Sequence, residues 1–190
     1  MKLRLFIVIV LGFLTVGIFS GCAELRDFLE EAEENSYSEN PNSDSYKARY
    51  VVMICSIVKY PRAEDLEQEV QCIDGKGIWI NTNQNFSSKY LKDAKIIPRP
   101  GDPNVCDLQF KLDRLGKIQW QILSGMHIDK KVAFIVDGIC YTTFTPEPPN
   151  SKNSSWVTLK VGINPYTAKG IVKFAKKNYL YYNPDTRSWF

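Results

Sequence analysis

The sequence predicts an α+β domain with a mainly antiparallel sheet and two or three helices packed on one face. Three observations lead to this fold class. Short runs of apolar or alternating side chains recur between residues 49 and 161, and the pair Asp137-Gly138 separates two of these runs. Two further segments carry apolar residues at helical spacing, one after Asp113 and one after Asn164.

The N-terminal residues are typical of an export signal. Lys2 and Arg4 precede an uncharged, mostly apolar run at 5–19, and Ser20 and Gly21 lead directly to Cys22. The run is shorter than the roughly 20 apolar residues that a membrane span needs. Residues 19–22 resemble the lipobox of bacterial lipoproteins, in which the cysteine sulfur is acylated and becomes the first mature residue.

We therefore expect a signal peptide at 1–21 and a lipid on Cys22 that anchors the protein to a membrane of the bacterial cell envelope, on its periplasmic or extracellular side. An ordinary signal peptide with a cysteine near its cleavage site is the alternative.

The chain after the signal peptide consists of an acidic segment followed by a basic one. Residues 23–45 hold eight acidic side chains and one basic side chain, whereas residues 46–190 hold 21 basic and 13 acidic ones. Low hydrophobicity and turn residues predict an acidic tether at 22–45. The domain is predicted at 46–183, with a C-terminal tail at 184–190. Nucleic acid is not an expected partner, because an exported protein rarely meets it.

The first half of the domain is predicted to contain three strands and a helix. Residues 49–58 and 78–80 read as strands, and residues 61–66 as a loop or a single helical turn. Ser87 or Ser88 is predicted to cap a helix that carries Tyr90, Leu91 and Ala94. The alternating run at 105–112 predicts a half-buried strand.

A helix with a broad apolar stripe is predicted from Asp113 onward. Ile118, Ile122 and Met126 stand four residues apart, and Trp120 and Leu123 widen the stripe.

The second half continues with a hairpin, a strand and a last helix. Asp137-Gly138 between two β-rich runs favours a two-residue type I′ turn. An irregular, proline-rich connection at 146–151 leads to an alternating strand at 156–161. Asn164 and Pro165 begin the last helix as cap and first-turn proline.

Residues 77–177 resemble the head part of the first periplasmic domain of the SecD and SecDF protein-export membrane proteins. The motifs that carry this resemblance are the segment at 130–138, the strand and helix that begin at 160 and 165, and the capped segment at 86–94. The sequence departs from the family at 141–146, where a Ser-Ala-Pro is customary, and it lacks the family's transmembrane segments. The resemblance implies a head-like fold on a lipid anchor, and fold alone does not decide function.

Four cysteines follow Cys22, and export would place them where disulfides persist. Four thiols allow three pairings; Cys55 and Cys72 lie in neighbouring apolar runs and could face each other, in which case Cys106 and Cys140 would form the second pair. Free buried thiols are the alternative.

Few residues suggest catalysis or metal binding. His127 is the only histidine, no Cys-x-x-Cys occurs, and no metal site or cofactor is expected. A hydrolase or thiol-redox enzyme that uses His127 or a reactive cysteine is the alternative function.

A binding surface is the leading functional hypothesis. Four lysines share one face of the last helix, close to C-terminal aromatic residues: Lys169, Lys173, Lys176 and Lys177. For this face we favour the interpretation that the lysines are solvated and the C-terminal tyrosines form a final strand packed on the sheet. We predict a non-enzymatic protein- or peptide-binding module, with another envelope protein or the export machinery as its partner; a purely architectural role stays open.

Overall fold

The computed structural model describes residues 38, 40–43, 45–62, 65–149 and 155–189. The predicted signal peptide, Cys22 and most of the predicted tether lie outside these residues. The chain forms two compact units, Met1–Lys47 and Ala48–Phe190. In the described part of the first unit, the backbone N–H groups of Ser43 and Tyr46 donate to the carbonyls of Asn40 and Ser43, which forms two successive turns.

Five strands of the second unit form an antiparallel sheet, named sheet 1. They are β1 (Val52–Ile57), β2 (Glu67–Gln71), β3 (Gly77–Ser87), β6 (Val132–Val136) and β7 (Ile139–Phe144), in the order β2-β3-β1-β6-β7. In the central strand, Ile54 lies opposite Phe86 on one side and Phe134 on the other. Beyond the end of β2, Cys72 forms a parallel bridge with Cys140 of β7, so the two edges of sheet 1 meet.

A second antiparallel sheet and two helices complete this unit. Sheet 2 contains β4 (Leu91–Pro98), β5 (Cys106–Leu112) and β8 (Trp156–Ile163), in the order β4-β5-β8. Helix α1 (Arg114–Met126) contacts β3 and β5, and helix α2 (Pro165–Tyr182) contacts β4 and β5. The predicted α+β class with antiparallel pairing and two helices is confirmed, although the strands divide between two sheets.

Apolar side chains cover both faces of sheet 1. All of β6 is buried, with Val132, Phe134 and Val136 in the main core beneath the helices and sheet 2. Ala133 and Ile135 point the other way into a second apolar cluster, together with side chains of β1, β2, β3 and β7. A strand that is apolar on both faces is typical of a sheet with material on both sides.

The local signals at chain reversals and helix starts are confirmed. Asp137 and Gly138 have φ angles of 49° and 84°, as a type I′ hairpin requires. Asn164 caps α2 by accepting a hydrogen bond of 2.8 Å from the N–H of Thr167. Asp113 caps α1 in the same way, by accepting a bond of 2.6 Å from Gly116.

The helix predicted from Ser87 or Ser88 through Ala94 is wrong. Ser88–Tyr90 forms one 3₁₀ turn, and β4 begins at Leu91. The side chain of Ser88 accepts a hydrogen bond of 2.8 Å from the N–H of Val52 and caps no helix. A bulge between Leu91 and Asp93 turns both Leu91 and Ala94 into the core, so a bulged strand reproduces the three-residue spacing of a helix.

Candidate functional site

Helix α1 exposes a continuous row of apolar side chains, named the α1 apolar face. Its members are 62%, 45%, 49% and 48% exposed, in the order Leu115, Ile118, Ile122 and Met126. At about 100° per residue these positions share one side of the helix. Single exposed apolar side chains are normal on a protein surface, whereas a contiguous patch marks a site of interaction.

The opposite side of α1 fixes the helix to the domain. Trp120 is fully buried and makes an edge-to-face contact with Phe86, with ring centroids 5.6 Å apart. Gly116 lies against Tyr90, where an added Cβ would come within 2.7 Å of the tyrosine Cβ. The apolar stripe predicted on this helix is therefore divided in the structure: Trp120 and Leu123 are buried, whereas Ile118, Ile122 and Met126 are exposed.

A cavity of about 480 Å³ lies beside the C-terminal half of α1. It lies between the end of α1 and the proline-rich connection, and nine residues line it: Gln121, Ser124, Gly125, Ile128, Asp129, Thr145, Pro146, Glu147 and Pro148. The Nε1–H of Trp120 donates to the carbonyl of Glu147 over 2.9 Å, and the Glu147 carboxylate accepts from Lys160 over 2.7 Å. These bonds hold the connection beside the helix.

Basic side chains stand at both ends of the α1 apolar face. Arg114 is exposed in the first turn of α1, and Lys130 and Lys131 are exposed just beyond its end. An apolar surface between cations suits an apolar peptide segment that has acidic neighbours.

The four lysines singled out from the sequence lie along the outer side of α2. Lys169, Lys173 and Lys176 are exposed and Lys177 is half-buried. The ammonium groups of Lys173 and Lys177 lie 5.3 and 5.6 Å from the centroid of the Phe174 ring. Lys176 lines a separate cavity of about 260 Å³ with Lys92, Asp93, Lys111, Tyr179 and Leu180. The lysine face is thus a cationic surface over aromatic rings.

The C-terminal tyrosines belong to α2, so the favoured interpretation that places them in a final strand is wrong. Tyr179 is buried, whereas Tyr181 and Tyr182 are about two fifths exposed and contact each other edge to face at 5.2 Å.

His127 forms a contact that the sequence did not suggest. Its Nε2 lies 2.7 Å from the Oγ of Ser56, and burial is the main reason that the pKa of His127 lies below its ordinary value. Among the described residues no carboxylate hydrogen-bonds to the His127 ring, and Ser56 in β1 is only 6% exposed. A serine hydrolase needs an accessible hydroxyl and an oriented base, so this pair has the character of a structural contact.

The cysteines do not form the expected pairs. All four described cysteines are free thiols, and Cys72 lies beside Cys140 rather than Cys55. Cys106 instead lies in sheet 2 and donates from its Sγ to the carbonyl of Ile163 over 3.5 Å.

The ionisation of Cys55, Cys106 and Cys140 does not favour a reactive nucleophile. Burial raises the pKa of Cys55 to about 12 and also raises that of Cys106. Burial and the neighbouring Cys72 raise the pKa of Cys140 to about 12. A catalytic thiol requires a lowered pKa.

Two absences apply to the described part of the chain. It contains no cluster of three or more histidine, cysteine, aspartate or glutamate side chains able to hold a metal ion. It also contains no helix long and apolar enough to cross a membrane.

No protein-family model and no curated protein sequence matches this chain. Two solved structures of SecDF are similar in fold. One, reported as a membrane component that enhances protein export, is 13% identical with a TM-score of 0.46, over 68% of this chain and 63% of its own. The other, SecDF in a super-membrane-facing form, is 13% identical with a TM-score of 0.47, over 68% of this chain and 19% of its own.

The chain therefore matches less than two thirds of the length of either SecDF structure. The resemblance to SecD and SecDF that the sequence showed is found again in three dimensions, and at 13% identity it concerns the fold alone.

Proposed function

We propose that this protein is a lipid-anchored component of the bacterial cell envelope that binds an apolar segment of another protein on the α1 apolar face and catalyses no reaction. The observation that carries the proposal is the row of four side chains from Leu115 to Met126, each about half exposed or more on one side of a firmly packed helix. A domain that only had to fold would gain stability by burying them or by carrying polar residues there.

The neighbouring cavity and basic side chains indicate what kind of protein segment would bind. The cavity accepts one or two apolar side chains beside the row, and the proline-rich connection forms its opposite wall. Arg114, Lys130 and Lys131 favour a segment with acidic residues at its ends. The fitting ligand is an amphipathic segment of another protein, in which two or three apolar anchors dominate the binding energy.

An accessory role in protein export is the specific form of this proposal that the resemblance to SecD and SecDF suggests. In that form the bound segment belongs to an exported chain or to a subunit of the export machinery. The lipid on Cys22 would hold the domain at the membrane surface where such segments emerge.

Binding is tested with a defined probe and matched variants of the full chain. The probe is a fluorescently labelled protein of acidic net charge that has been reduced and carboxymethylated, so that it stays unfolded. Ile118→Glu with Ile122→Glu is expected to weaken probe binding at least about tenfold, since two anchors of the interface are lost. Lys169→Gln with Lys173→Gln changes the net charge by the same amount on an exposed face of α2; this control is expected to weaken probe binding by less than about threefold.

Equal loss in both double variants would show that charge alone drives binding and would overturn the assignment to α1. Unchanged binding in the Ile118 and Ile122 variant would overturn it as well. Sedimentation of the free protein belongs to the same experiment, because a dimer abolished by these substitutions would make a second copy the occupant.

The anchor is tested separately from binding. Membranes are separated from soluble protein after expression of the full chain and of a Cys22→Ala variant. The wild type is expected with the membranes and the variant in the soluble fraction. A Cys22→Ala protein that stays with the membranes would refute lipid anchoring and leave the binding result unaffected.

A further inference from the structure

The two edges of sheet 1 meet at one pair of cysteines. Cys72 follows β2, the first edge strand, and Cys140 lies in β7, the last one. The two residues form a parallel bridge, and the N–H of Ile73 donates to the carbonyl of Cys140 over 2.9 Å. A tight turn fixes the position of Cys72, whose N–H donates to the carbonyl of Lys76 over 2.7 Å.

The bridge brings the two thiols into contact. Residues paired across neighbouring strands lie about 4.7–4.9 Å apart, within the Cα separation of about 4.4–6.8 Å that a disulfide spans. Burial and the neighbouring Cys72 thiol raise the pKa of Cys140, which agrees with two thiols that lie side by side.

Of the other two described cysteines, Cys55 shares the second apolar cluster with Cys72 and Cys140 but lies on a different strand. Cys55 is in β1, which β3 separates from β2 and β6 separates from β7. Cys106 belongs to the main core beneath the helices, whereas Cys72 and Cys140 belong to the second apolar cluster.

We propose that Cys72 and Cys140 form a disulfide in the exported protein, and that this bond closes sheet 1 by joining its two edge strands. The inference rests on the export part of the proposed function, because disulfides persist in oxidising compartments. It is independent of what α1 binds.

The oxidant is a disulfide, either glutathione disulfide or a protein disulfide of the envelope. The thiolate of Cys72, the more exposed of the two, attacks one sulfur of that disulfide and releases its other half as a thiol. The thiolate of Cys140 then attacks the Cys72 sulfur and releases the second half. Two electrons pass to the oxidant, and the two protons of the cysteines end on the released thiols.

The disulfide protects the edge strands of sheet 1 from pairing with other chains. Unpaired edge strands are templates for association with other chains. A covalent link between Cys72 and Cys140 keeps the edges of sheet 1 against each other and encloses the segment that contains β3, β4, β5, α1 and β6. It therefore restricts most of the domain in the unfolded state.

Peptide mapping of the exported protein tests the pairing. The full chain is expressed with its own N-terminal segment, free thiols are blocked with an alkylating reagent under denaturing conditions without reductant, and the digest is compared before and after reduction. The expected result is one linked pair of peptides, containing Cys72 and Cys140, with Cys55 and Cys106 alkylated. Alkylation of Cys72 and Cys140 in exported protein, or linkage of either to another cysteine, would overturn the proposal.

A second measurement does not depend on export. The purified full chain is equilibrated with glutathione disulfide and its melting temperature is compared with that of the reduced protein. Oxidation is expected to raise the melting temperature by about 5–15 °C. The increase is expected to vanish in Cys72→Ser, a change at a half-buried position, and to persist in the control Cys106→Ala. A wild type whose melting temperature is the same in both states would contradict the closure of sheet 1 by this bond.

Discussion

Asp137 ties the hairpin between β6 and β7 to the start of β1. Its carboxylate accepts two hydrogen bonds of 2.8 Å, one from the N–H of Tyr50 and one from the N–H of Val51. Its own N–H donates to the carbonyl of Val51 over 3.0 Å. Tyr50 and Asp137 both have left-handed backbones, with φ of 52° and 49°. Since the Tyr50 ring stacks on Phe174 of α2 at 5.8 Å, the carboxylate also holds the ring that packs against that helix.

The magnitude follows from the bonds that each variant loses. A hydrogen bond to a charged group contributes about 1.5–3 kcal/mol, and the lower value applies here because Asp137 is exposed and water replaces part of the loss. Asp137→Gly loses both bonds but keeps a permitted backbone, so we expect a loss of about 3 kcal/mol in the free energy of unfolding. Asp137→Ala loses the same two bonds and also places an alanine in a left-handed conformation, which costs about 1 kcal/mol more. We therefore expect a total loss of about 4 kcal/mol in the free energy of unfolding. Asp137→Asn keeps one acceptor and is expected to lose about 1.5 kcal/mol.

The assay is urea unfolding of the full chain in reductant, followed by far-ultraviolet circular dichroism. The expected order of stability is wild type, Asn, Gly and Ala. An Asp137→Ala protein within about 1 kcal/mol of the wild type would refute the reasoning, because two bonds to a carboxylate cannot then contribute as argued. If Asp137→Gly were less stable than Asp137→Ala, the cost assigned to a left-handed alanine would be refuted, but not the contribution of the two hydrogen bonds.

Two further predictions concern named contacts. Gly170→Ala is expected to destabilise the domain by about 1–3 kcal/mol because the new Cβ overlaps the Tyr50 ring. Gly125→Ala has open space around it and is expected to stabilise α1 by up to about 1 kcal/mol. Urea unfolding of both variants measures these changes, and equal changes in the free energy of unfolding would contradict the contact with Tyr50. The lowered pKa of His127 favours its neutral form in the folded state. That stability is present above its ordinary pKa of about 6.5 and is lost as the pH falls toward the folded value. The free energy of unfolding is measured at about pH 7.5 and about pH 5.5. We expect it to fall less on acidification in His127→Gln than in the wild type.

The parts of the fold predicted correctly are those that a few adjacent residues control. Asp137-Gly138 sets the hairpin because only certain residues tolerate two successive left-handed conformations. Asp113 and Asn164 begin helices because their side chains satisfy N–H groups two or three residues ahead. These signals need no knowledge of the rest of the chain.

The parts predicted wrongly depend on contacts between distant residues. Leu91 and Ala94 have helical spacing, but pairing with β5 and a bulge make the segment a strand. Helix α1 has two apolar sides, and its periodicity alone does not say which one faces the core. Trp120 takes the core position through its contact with Phe86, and this leaves Ile118 and Ile122 exposed.

By itself, the sequence determined the α+β class, the turn between β6 and β7, the starts of both helices and the expectation of an exported, lipidated chain. These follow from local backbone preferences and from composition, which act over a few residues. Only the tertiary structure decided that the strands form two sheets, that the α1 apolar face is exposed, and that Cys72 faces Cys140. Each of these features depends on which apolar surfaces of distant segments are buried against each other. The spacing of residues along the chain does not specify that.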